Sequence, residues 1–95
     1  MANIKAIGVL ETEGLTPLIK GADAASKAAN VDLVEWRRIG GGYVSFTFEG
    51  EVAAVKSAMD SATEAASEVG DIVSELVISR PIEELKGTFK KSNKK

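Results

Sequence analysis

The chain has 95 residues, no cysteine and no histidine, and a net charge of −2. That length supports one small domain, which buries only about 60–65% of its unfolded surface, so self-association would add to its core. The composition excludes disulfides, thiol nucleophiles, imidazole acid–base chemistry and zinc sites of the Cys/His type.

Residues 1–85 hold all 14 acidic side chains against seven basic ones, a balance of −7. The last ten residues add five lysines: Lys86, Lys90, Lys91, Lys94 and Lys95. The reading is a domain over 1–85 followed by a basic, solvated C-terminal tail over 86–95. A nucleic-acid role is not expected from it. No run of about 18 apolar residues is present, so no membrane span is predicted. The opening residues lack a signal-peptide pattern. With the lack of cysteine, this leads to an expected cytoplasmic location.

In chain order, Ile4 to Thr12 reads as a strand, with Ile4, Ala6, Val9 and Leu10 apolar. Thr16 is the predicted helix N-cap, with Pro17 at the first helical position. The helix runs to about Ala29 with a stripe of Leu15, Leu18, Ile19, Ala22, Ala25 and Ala29. The stripe turns small toward its end, which predicts a close neighbour there. Asn30 is the expected terminator, in a left-handed conformation.

Val31 to Ile39 reads as a second strand. Strict alternation puts Val31, Leu33, Glu35, Arg37 and Ile39 on one face, and Asp32, Val34, Trp36 and Arg38 on the other. Both faces are mixed, as at an edge or an interface. Gly40-Gly41-Gly42 follows, a loop free to adopt backbone angles closed to other residues. Tyr43 to Phe48 is a third strand whose Val44, Phe46 and Phe48 should face the core. A second helix spans Glu51 to Gly70 with Val52, Val55, Met59, Ala62, Ala66 and Val69 buried, and Gly70 as a left-handed cap. Asp71 to Ser79 is a fourth strand, ended by Arg80-Pro81, and residues 81–85 read as a further helical turn.

The order β-α-β-β-α-β predicts an α+β fold of ferredoxin-like type: a four-stranded antiparallel sheet with both helices on one face. The other face and two edges are then left to manage. Carboxylate pairs such as Glu11/Glu13 and Glu83/Glu84 have no basic or nucleophilic partners in a recognisable arrangement, so no catalysis is expected. The glycine loop lacks the Gly-Lys-Ser/Thr ending of a phosphate loop and opens a strand, not a helix.

Four segments resemble the bacterial microcompartment (BMC-domain) shell proteins. Residues 6–15, Ala-Ile-Gly-Val-Leu-Glu-Thr-Glu-Gly-Leu, are similar to that family's first strand. Residues 23–31, Asp-Ala-Ala-Ser-Lys-Ala-Ala-Asn-Val, resemble its helix-end segment. Arg38-Ile39-Gly40-Gly41-Gly42 looks like its pore loop, with Gly41 in place of the usual serine. Ile78-Ser79-Arg80-Pro81 is similar to its Ile-Pro-Arg-Pro segment.

The resemblance implies a cyclic homohexamer that tiles into facets with other shell proteins around enclosed enzymes. It implies a sixfold pore lined by Arg38, Ile39, Gly40, Gly41 and Gly42 that passes small polar metabolites. It places Lys27, Asn30 and Arg80 at the edge between hexamers, and it implies no cofactor and no metal. A metabolite-sensing regulatory domain of the same β-α-β-β-α-β type is the alternative, because this fold hosts many functions. A small acyl-phosphate hydrolase is a third reading, for which the required arginine and polar set is missing.

Overall fold

A computed structural model describes residues 5–79, which run β1 (Ala6–Glu13), α1 (Leu15–Ala28), β2 (Asp32–Gly40), β3 (Tyr43–Gly50), α2 (Val52–Ser67) and β4 (Asp71–Ile78). Ile4, Arg80, the 81–85 turn and the lysine tail lie outside the described residues. All strand pairs are antiparallel, in the order β2-β3-β1-β4. The α+β fold expected from the sequence is the one observed. No described helix is long and apolar enough to cross a membrane.

Register explains the core. Gly8, Leu10 and Thr12 of β1 stand opposite Phe48, Phe46 and Val44 of β3. Leu10, Phe46, Phe48 and Val44 join Leu18 and Ala25 of α1 and Val55, Ala58, Met59, Ala62 and Ala66 of α2 in one buried cluster. The small stripe of α1 does meet a close neighbour. A Cβ on Gly21 would lie 3.2 Å from the Ala62 carbonyl oxygen and 3.4 Å from the Ala66 Cβ. Helices this near need small residues on both sides.

The strands leave even less room at Gly8, where a Cβ would fall 2.8 Å from Phe48 Cζ and 3.1 Å from Val55 Cγ1. Gly8→Ala is therefore expected to lower stability by about 1–3 kcal/mol, the usual cost of overpacking. A urea titration should show the midpoint fall with an unchanged slope.

Several local expectations are corrected. α1 starts at Leu15, so Thr16 and Pro17 are its second and third residues, and Thr16 is not the cap. The N-cap is Gly14, at φ 95°, with no side-chain capping bond. Pro17 is tolerated because the first turn of a helix has no intrahelical use for its N–H groups. A threonine hydroxyl does serve this junction, but it is Thr12, whose Oγ1 donates to the Gly14 carbonyl at 2.9 Å.

Asn30 does not take the left-handed conformation; among the described residues only glycines have positive φ. α1 instead ends at Ala28, and its C-cap, Ala29, turns directly into extended backbone at φ −157°. Gly70 also lacks positive φ. Its role is spatial, since a Cβ there would sit 2.6 Å from the Pro17 ring. The buried faces of the helices also differ from the predicted stripes. Leu15, Ile19, Val52 and Val69 are exposed, while Gly21 and Ala58 are buried.

The largest correction concerns β2. Its register shifts between Leu33 and Glu35 and again between Arg38 and Gly40. Val34 and Ile39 are the residues passed over, and an extra residue flips all that follow. Leu33, Trp36 and Arg38 thus share the helix side, opposite Phe48, Phe46 and Val44. Glu35 and Arg37 share the other side, opposite Thr47 and Ser45. On that other side Ile7, Glu35, Ser45 and Thr47 are buried.

Candidate functional site

Gly40 pairs with Tyr43, leaving Gly41 and Gly42 as a two-residue hairpin loop. Their φ angles of 64° and 86° are both positive, as a type I′ hairpin turn requires, and Gly40 has φ 117°. Side chains are thus strained at three successive positions. Space is not the reason. A Cβ on Gly40 or Gly42 would meet nothing within 4 Å, and one on Gly41 only the Tyr43 ring at 3.8 Å. The loop projects clear of the domain and carries no side chains. One bond fixes its base: the Gly14 N–H donates to the Gly42 carbonyl at 2.8 Å.

Arg38 and Ile39 lead into this loop, and both are exposed. The Arg38 guanidinium carbon stands 5.7 Å from the centroid of the Trp36 ring. Arg37, on the opposite face, places Nε 3.1 Å from Glu35 Oε2.

Lys27 lies in the last turn of α1, where a cation favours the helix dipole. Its Nζ is 3.0 Å from Asp23 Oδ2, and both side chains are well exposed. Asn30 follows just past the helix end and is exposed. The glycine loop touches the start of α1 through Gly14, whereas Lys27 and Asn30 stand at its far end, about 20 Å away at 1.5 Å per residue. The predicted residues therefore form two separate groups, the loop with Arg38 and Ile39, and the α1 end with Lys27 and Asn30. Arg80 lies outside the described residues.

Two features escaped the sequence reading. One is the Glu35–Arg37 ion pair: alternation already puts both residues on one face, but the burial of the Glu35 side chain depends on the neighbouring strand. The other is an apolar strip between α1 and β2, formed by Leu15, Ile19, Leu33 and Trp36, with exposures of 38%, 59%, 58% and 49%. The mixed polarity of the second strand was its only trace. Contiguous apolar surface of this kind is a feature of protein, membrane and ligand contact sites alike.

The sequence profile of the BMC domain matches residues 6–81. The bacterial microcompartment shell protein EutM of Salmonella typhimurium is 44% identical over 86 residues, covering 90% of each chain. The bacterial microcompartment shell protein PduA of Citrobacter freundii is 47% identical over 77 residues, covering 81% of this chain and 83% of that one. A crystal structure of a microcompartments protein from Desulfitobacterium hafniense superposes with a TM-score of 0.80 at 42% identity, over 92% of this chain. This chain spans about half the length of that protein, 49%. With the profile matched across the whole described fold and relatives above 40% identity on either side of it, the chain belongs to the BMC-domain family.

Proposed function

We propose that the protein is a structural subunit of a bacterial microcompartment shell, in which six copies close a ring around the Gly40–Gly42 loop. The observation that carries this reading is the loop itself. It has three consecutive positive-φ glycines and no side chains, with open space where a Cβ on Gly40 or Gly42 would stand. Such a loop suits close approach to an axis.

Sixfold repetition then frames an aperture with peptide groups, and Arg38 and Ile39 form its approach. Converging backbone N–H groups favour polar oxygens and anions. Small polar metabolites are the traffic, and transport is passive. Lys27, Asn30 and Arg80 form the edges at which hexamers tile into facets, beside other shell proteins and around enclosed enzymes. The location is a shell within the cytoplasm. The reading assigns no catalytic residue. Residues 1–85 act as the shell domain, with 86–95 as an appended basic tail.

The exposed strip of Leu15, Ile19, Leu33 and Trp36 supports self-association, because burying it against another copy would strengthen a domain of 95 residues. Native mass spectrometry tests the ring directly. The expected species is six copies of the 10.0 kDa chain, with sheets or tubes visible by microscopy on concentration. A protein that stays monomeric, or a dimer that binds a small ligand, ends this reading.

A further inference from the structure

Charge is spread unevenly over the two sides of the sheet. On the side away from the helices, the antiparallel registers set Asp32 opposite Glu49 and Glu13 opposite Asp71. Glu11 and Glu35 lie on the same side, with Arg37 as the one cation among the strand residues there. That side holds six carboxylates against one base, while the rest of residues 5–79 holds six against five. Almost all the net negative charge of the described domain is therefore on one face.

Two carboxylates directly opposite on neighbouring strands repel each other. Arg37 is taken by Glu35, 3.1 Å away. Among the described residues no cation pairs with Glu13, Asp32 or Asp71, and all three are exposed. The repulsion at both ends of the face is left to be balanced by a cation from outside the strands.

The chain carries one of matching size. Residues 86–95 hold five lysines and no acid, against the face's excess of five carboxylates. β4 ends at Ile78, which pairs with Ile7 in the same cross-strand row as Asp32 and Glu49, so the chain leaves the sheet at that end of the acidic face. The eight positions from Ile78 to Lys86 reach at most about 26–29 Å. Four strands are only about 14 Å across. Ten extended residues then cover about 33 Å, more than the roughly 20 Å along β1 from Ile7 to Glu13. Between the two carboxylate pairs, Val9 stands opposite Leu76, which is 53% exposed. Phe89, set between Lys86 and Lys90, supplies an apolar counterpart.

We propose that the lysine segment 86–95 docks along the acidic face of its own sheet, bridging the Asp32/Glu49 and Glu13/Asp71 pairs, rather than standing in solvent. A lone copy holds both halves, so the docking does not depend on the shell reading. Tethering by a short linker keeps the segment at an effective concentration in the millimolar range. The docked segment turns a strongly negative face into a nearly neutral one.

Trypsin cuts after lysine, which makes the tail its own reporter. Cleavage after Lys90 and Lys91 is followed by mass spectrometry in the full-length protein and in a synthetic peptide of residues 86–95, at matched salt. Several weak exposed pairs acting together correspond to about 5- to 30-fold protection at low salt. The protection should vanish near 1 M salt, where charges are screened within ~3 Å. Glu13→Gln/Asp32→Asn/Asp71→Asn should abolish it at every salt. Asp60→Asn/Glu64→Gln/Glu68→Gln, an equal loss of charge on the α2 side, should leave it in place.

The proposal is overturned by cleavage as fast as in the peptide, by protection indifferent to salt, by protection that survives in the sheet variant, or by equal loss in the α2 variant. Rescue in trans overturns it as well. Chains with all five tail lysines replaced by glutamine keep an open acidic face and offer trypsin no site in the tail. If co-assembly with them restores protection to the sheet variant, the tail lies on a neighbouring copy. Native mass spectra of the same samples keep the two readings apart. A monomer with a protected tail ends the shell reading and leaves the docked tail. A hexamer with an unprotected tail does the reverse.

Discussion

Phe46→Ala should cost about 3–5 kcal/mol, the range for truncating a buried aromatic side chain. Phe46 is 1% exposed on β3, an interior strand, directly opposite Leu10. Its ring centroid lies 5.1 Å from that of Phe48, tilted at 37°, which adds an aromatic contact to the lost area. It also floors the groove between α1 and β2, beneath Leu18 and Trp36. The void would open between sheet and helix, where neither can close on it without losing other contacts.

For a domain of this size each kcal/mol moves Tm by about 4–8 °C, so a fall of more than about 12 °C is expected in a thermal melt. Protomer concentration must be held constant, because assembly stabilises by mass action. A melt shifted by only a few degrees would show that the core collapses around the gap, against the tight register described for β1 and β3.

Lys27→Ala should have the opposite profile, with a small effect on the fold and a large one on assembly. The Lys27–Asp23 pair is an exposed i,i+4 contact, worth about 0.3–0.5 kcal/mol. Its loss would barely change a melt. At a seam between hexamers, the same side chain would lay its aliphatic stem against a neighbour and donate its ammonium protons to backbone carbonyls. The variant should therefore keep the hexamer in native mass spectra and fail to form extended sheets under microscopy. Sheets indistinguishable from wild type would remove Lys27 from the seam.

These contrasts trace back to what sequence patterns encode. Period-two alternation in Tyr43–Phe48 and the glycine run between two strand-like segments were legible, because side-chain polarity and the special angles of glycine are local properties. Where the outcome depended on a distant contact, the reading failed. Gly70 looked like a helix cap, yet its lack of a side chain answers the Pro17 ring, 53 positions earlier. Gly21 lies outside the stripe predicted for that helix, yet its lack of a side chain lets α2 approach.

The bulges in β2 were invisible for the same reason, since the partner strand decides which residue is skipped. They also decide which apolar residues flank the site. Glu35 and Arg37 share a face in either reading. The shift at Val34, however, moves Leu33 to the helix side with Trp36 and Arg38, and so assembles the apolar strip beside the Arg38 guanidinium.

The link from Gly14 to Gly42 has a consequence for how the molecule can change over generations. It is a clasp made of two peptide groups, so replacing a side chain does not delete either half of it. Residues around it are free to drift in charge and size, retuning the doorway while its hinge post stays fixed. An imino acid at position 14, with no N–H to give, would unfasten it, and the positive φ at both of its ends holds those two positions to glycine.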